Sequence, residues 1–113
     1  MRYMMLVCVG DSVVLDSEQK ASIGPDADAW VAEMGGRGVR LQGHELAAVR
    51  DATTVRVRQG EVLVADGPFA ETKEQIAGFD ILECDDLDQA IEVASKHPVA
   101  RFGTIELRPF LEE

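Results

Sequence analysis

Residues 2–9 read Arg-Tyr-Met-Met-Leu-Val-Cys-Val, a nearly unbroken apolar run behind a single charge. A strand with one wet face alternates apolar and polar side chains, because successive side chains point to opposite faces. This run is apolar in both phases. It therefore reads as a central strand covered on both sides, and the rest of the chain must supply that cover.

Downstream, residues 16–37 carry a helical pattern interrupted at Gly24-Pro25, after which Asp26 and Asp28 are placed to cap a fresh turn. Ala27, Trp30, Val31 and Met34 form one apolar stripe, and Gly35, Gly36 and Gly38 end it. Residues 39–42 and 45–49 are short extended pieces around Gly43-His44. Residues 53–58 and 61–65 read as a hairpin turning at Gln59-Gly60, with Thr54, Arg56 and Arg58 alternating against Val55 and Val57. Asp66-Gly67-Pro68 is a turn, and residues 77–84 are another strand.

A second helix opens at Asp86 with Gln89 three residues on, a variant of the capping box. Leu87, Ala90, Ile91 and Ala94 are its apolar stripe. Lys96 and His97 stand in its last turn as dipole-favouring cations, and Pro98 stops it. In the last strand, residues 101–108, Gly103, Ile105 and Leu107 point one way. Phe102, Thr104, Glu106 and Arg108 point the other.

The order is strand, helix, strand, hairpin, strand, helix, strand. It specifies an α+β fold, a ferredoxin-like β-α-β-β-α-β plan with an inserted hairpin, as one domain over residues 1–113. Both helices cover one sheet face. No third layer remains in the chain for the other face, and a second copy of the sheet would provide it, so a homodimer is expected.

Composition narrows the partners. Acidic residues number 21 against 11 basic, a net charge of −10. The basic residues are scattered apart from Arg50, Arg56 and Arg58, so neither nucleic acid nor an anionic membrane is an expected partner. The N-terminal apolar run is too short to span a bilayer and has poor signal-peptide flanks, leaving the cytoplasm as the expected location. Cys8, Cys84, His44 and His97 have no zinc-type spacing, and neither a metal nor a cofactor is expected.

The segment Asp66-Gly67-Pro68-Phe69-Ala70-Glu71-Thr72-Lys73-Glu74-Gln75, running on to Gly78-Phe79, resembles the signature of the DGPF branch of the YCII-related family. Its flanks, Thr53 to Arg58 and Gly103 to Pro109, and the opening strand Met4 to Val9 also resemble family members, so the likeness covers nearly the whole chain. The resemblance implies a dimeric α+β barrel, two ferredoxin-like sheets face to face. It implies no established reaction. Relatives are often encoded beside extracytoplasmic-function sigma factors, which implies a possible regulatory link. A His–Asp pair has been proposed as a site in the wider group. Its Asp corresponds to Asp66, but the early region from Ser12 to Ser22 has no histidine to match the other half.

Several residues are candidates for chemistry, each with a plainer account. Asp66 is a general base at a cleft, or a carboxylate holding its own turn. His44 is an acid or orienting group, or a loop histidine on the surface. Thr104, Glu106 and Arg108 share one strand phase and are expected to face the barrel interior as a polar lining for a small organic ligand, or as a salt-bridged face. Asp80 is a further lining candidate whose facing the pattern does not fix. Two functions compete: a cofactor-independent acid–base enzyme, and a non-catalytic regulatory or protein-interaction module.

If strand 2–9 runs antiparallel to strand 77–84, Cys8 and Cys84 lie at opposite ends of the sheet, about 25 Å apart and beyond disulfide reach. Thiol titration of the denatured, unreduced protein should find both thiols free. A recovered peptide cross-linking the two would contradict the strand pairing.

Overall fold

Asp16 starts the first helix. Its carboxylate accepts from the Gln19 backbone N–H at 2.7 Å, and the Gln19 side chain accepts from the Asp16 N–H at 3.0 Å. This reciprocal pair satisfies two donors that a helix start would otherwise leave open. The computed structural model describes residues 1–10, 13–69 and 74–112. In it the helix, α1 (Ser17–Gly36), runs without a break through Pro25. The expected interruption at Gly24-Pro25 is therefore corrected: Asp16 does the capping, not Asp26 or Asp28. Proline removes one helical donor, and the flanking turns carry the helix past it.

The strands are β1 (Arg2–Gly10), β2 (Arg40–Glu45), β3 (Thr53–Arg58), β4 (Glu61–Asp66), β5 (Glu74–Glu83) and β6 (Thr104–Pro109). The second helix is α2 (Leu87–Ser95), and short 3-10 turns occupy Val49–Asp51 and Pro98–Arg101. The main sheet has the order β2-β5-β1-β6, antiparallel throughout. This is the ferredoxin-like plan with β1 at its centre. β3 and β4 form a separate two-stranded hairpin inserted between β2 and β5. Its turn, Gln59-Gly60, has positive φ at both residues (51° and 78°), the arrangement that matches strand twist in a two-residue hairpin.

One phase of β1 makes the core. Tyr3, Met5 and Val7 are buried with Trp30 and Met34 of α1, Leu82 of β5, and Ala90 and Val93 of α2. The Trp30 indole donates to the Val93 carbonyl at 2.9 Å, which ties the two helices together. The other phase, Met4, Leu6 and Cys8, is only half-buried in a single chain. The molecule measures 47 × 44 × 19 Å with a radius of gyration of 16.1 Å. A compact domain of this length would have about 13 Å. The short dimension matches one sheet plus one helix layer.

His97 corrects another expectation. It is not a helix-end cation. It is 8 % exposed, packs edge-on against Trp30 at 4.9 Å, and accepts from the Val99 N–H through Nδ1 at 3.1 Å. An accepting Nδ1 requires a neutral ring with its proton on Nε2. Burial, with a smaller push from Arg101, lowers its pKa from 6.5 to about 4. In the unfolded chain the ring protonates first as pH falls, so the stability from this group is full above about 6.5 and is lost progressively towards 4.

Urea unfolding between pH 7 and 5 should therefore show stability falling on the acid side, and His97→Gln, which cannot titrate, should flatten that slope. Equal slopes in the two proteins would place the proton elsewhere.

Candidate functional site

Strand register sorts the candidate residues between the two sheet faces. On the face away from the helices, His44 stands opposite Phe79, Phe79 opposite Leu6, and Leu6 opposite Glu106. The neighbouring row runs Gln42, Ile81, Met4, Arg108. A third places Ile76 and Thr104 on either side of Cys8. Each row has apolar side chains over the central strands, and the first two have polar groups at both edges. The face is thus an apolar floor between His44 on β2 and the Thr104–Glu106–Arg108 line on β6.

The β6 line is bonded. Arg108 donates to Glu106 at 2.6 Å, and Thr104 Oγ1 donates to Glu74 at 2.9 Å. The Cys8 thiol beneath is pushed up, chiefly by burial and then by the charges of Glu74 and Glu106. His44 packs against Phe79 with ring centroids 5.9 Å apart. Three strand spacings separate His44 from Glu106 within one chain, about 14 Å.

Asp80 lies on the opposite face. It stands opposite the fully buried Met5 and is 6 % exposed, so it does not join Glu106. Its carboxylate accepts from Arg40 Nε at 2.8 Å. Burial raises the Asp80 pKa, and the bond and charge of Arg40 oppose that rise. Gly43 sits directly opposite, and a Cβ there would collide with the Asp80 carboxylate and the Phe79 carbonyl. Sequence reading missed both Arg40 and the role of Gly43. The only signal was a glycine opposing a carboxylate, visible once the strands are paired.

Asp66 closes β4, exposed and opposite Thr53. The turn after it is held through Gly67, whose N–H donates to the Ala52 carbonyl and whose carbonyl accepts from Thr54 Oγ1, both at 2.7 Å. Gly67 has φ of 92°, a conformation that glycine takes at no steric cost. Ala70 to Lys73 of the sequence motif lie outside the described residues. Beside the turn is a cleft of about 330 Å³ lined by Leu46, Ala48, Val49, Asp51, Pro68 and Ile76, among others. Ile76 also opposes Cys8, so one lining residue of the cleft shares a row of the sheet with Thr104. Such a volume is at the small end of ligand sites.

Among the described residues no group of three or more His, Cys, Asp or Glu side chains could hold a metal ion, and no helix is long and apolar enough to cross a membrane.

These features define a small ferredoxin-like α+β protein with a half-apolar open sheet face. The chain belongs to the YCII-related domain family, whose profile matches residues 1–113. It is also similar to an uncharacterised protein of Rhizobium meliloti (strain 1021), 47% identical over 60 residues, which is 51% of this chain and 48% of the relative. The match thus spans about half of that relative.

The Arg40–Asp80 pair gives a direct test of the site's frame. Arg40→Met strands a buried carboxylate and should cost about 3 kcal/mol in urea unfolding. The sign of the pH dependence follows from the raised pKa of Asp80: the folded state holds that proton more tightly, so the loss should shrink as pH is lowered towards the carboxyl's own titration. Adding Asp80→Asn should recover most of the loss. An unchanged midpoint in Arg40→Met would show the pair contributes nothing.

Proposed function

We propose that this protein is a homodimeric, cofactor-independent YCII-related protein of the DGPF branch, and that it binds a small organic molecule at its open sheet face. One observation carries the reading: an apolar floor of Met4, Leu6, Phe79 and Ile81 is bordered by His44 on one edge and by Thr104, Glu106 and Arg108 on the other. Ligand sites have this composition, mostly apolar with a few directed polar groups. Two sheets packed face to face at about 10 Å would enclose such a chamber. A twofold axis along the strands would lay β2 of one copy over β6 of the other. His44 would then oppose Glu106 and Arg108 across the chamber, closing a gap that a single chain leaves open.

In this reading Asp66 acts from the rim as a base or ligand contact, beside the cleft that Pro68 and Ile76 line. Arg108 and Glu106, paired with each other, suit a ligand with both a donor and an acidic group. Asp80 serves by fixing β2 against β5. The absence of a histidine from Ser12 to Ser22 favours a second reading, a non-catalytic regulatory module linked to a sigma factor.

Native mass spectrometry of the gently purified protein should find a dimer carrying a small organic molecule. Asp66→Asn should weaken retention roughly tenfold, a loss of about 1.4 kcal/mol of binding, with little change in thermal melting. A dimer that holds no ligand, with Asp66→Asn altering stability alone, would favour the regulatory reading.

A further inference from the structure

Three alanines hollow the root of the β3–β4 hairpin. Ala47, Ala48 and Ala52 line the cleft of about 330 Å³, with Leu46, Pro68 and Ile76 as its larger walls. Leu46 and Ile76 are 45 and 46 % exposed, so the cleft offers apolar surface to solvent. Main-chain bonds hold the walls. The Leu46 N–H donates to the Ala77 carbonyl at 2.8 Å, and the Gly67 N–H to the Ala52 carbonyl at 2.7 Å. The N–H groups of Asp51 and Ala52 donate to the Ala48 and Val49 carbonyls at 2.9 and 3.0 Å, which closes the 3-10 turn between them. The walls are therefore fixed by the chain itself, as in the largely pre-formed sites of small ligands. Among the described residues Asp51 is the one charged member of the lining, and no hydrogen bond or ion pair engages its carboxylate.

We infer that this cleft binds a small organic cation, an amine carried on a ring or a short apolar body, with Asp51 receiving the ammonium group. The lining selects that class. Its walls reward apolar contact, and the ionised Asp51 carboxylate can only accept hydrogen bonds. An anionic ligand would be repelled there, and a neutral one would leave the carboxylate unused. The net charge of −10 acts in the same direction, drawing cations to the chain and holding anions off. The volume, near the lower bound for ligand sites, keeps the apolar body small. The inference needs neither the dimer nor the open sheet face, and it adds a second ligand class to the one proposed for the Glu106–Arg108 edge.

Benzylamine, benzyl alcohol and benzoate test it, because they share a ring and differ in charge. Amide NMR titration of the whole chain should show benzylamine shifts centred on residues 46–52, 75 and 76. Benzylamine should bind about fivefold more tightly than benzyl alcohol, the scale of one partly exposed ion pair, and benzoate should not bind. Asp51→Asn should abolish that preference and leave the affinity for benzyl alcohol unchanged. Asp51 is exposed, so the variant should keep the fold, and the fluorescence of buried Trp30 verifies it. Equal affinities for the amine and the alcohol overturn the inference, as does an unchanged preference in Asp51→Asn. Shifts centred instead on Met4, Leu6 and Phe79 would assign the amine to the open sheet face and overturn the cleft site. A chain that binds no benzylamine overturns it as well, while the sheet-face reading stands or falls by its own mass-spectrometric test.

Discussion

The second apolar phase of β1 is the constraint on which the rest depends. Met5 and its neighbours in the first phase are satisfied by the two helices. Met4, Leu6 and Cys8 face the other way and are only half-buried. Fully burying an exposed Leu or Met side chain gains about 1.5–3 kcal/mol, and covering these partly exposed side chains would add the remaining part of that gain. The same face carries Phe79 and Ile81 from β5, so the shortfall belongs to the sheet and not to one strand.

The polar edges take their meaning from that floor. Arg108 and Glu106 form an exposed pair, and exposed pairs contribute little to stability. Covered by a second sheet, the same pair would sit in a region of low dielectric, where charge is costly unless matched. His44 occupies the far edge of the same row. Enclosure of the face would take these ionisable groups out of water together. The Arg40–Asp80 pair is different. It is already enclosed, on the helix side, and Gly43 leaves it room.

Much of the fold was legible in the sequence because its signals were local. Val55 and Val57 alternating with arginines, and Gln59-Gly60 after them, marked the hairpin. Asp86 and Gln89 marked α2, and the phase of Ile105 and Leu107 fixed the facing of Glu106 and Arg108. The failures were tertiary. Pro25 reads as a break with a fresh cap after it, but the helix opened by the Asp16–Gln19 box continues through it. His97 looked like an end-of-helix cation because sequence does not show Trp30 lying against it. The facing of Asp80 was illegible because both phases of β5 are largely apolar, and a bulge between Val7 and Cys8 shifts the register nearby.

The dimer proposed above covers the open face of β1 with a second copy. Methionine oxidation by a brief radical pulse reads that cover directly, because Met4 lies on the open face and Met1 is exposed at 54 % and serves as the internal standard. At micromolar concentration Met4 should be protected relative to Met1, and the protection should disappear on dilution as the dimer separates. Met4 oxidising at the same rate relative to Met1 at every concentration would contradict the account.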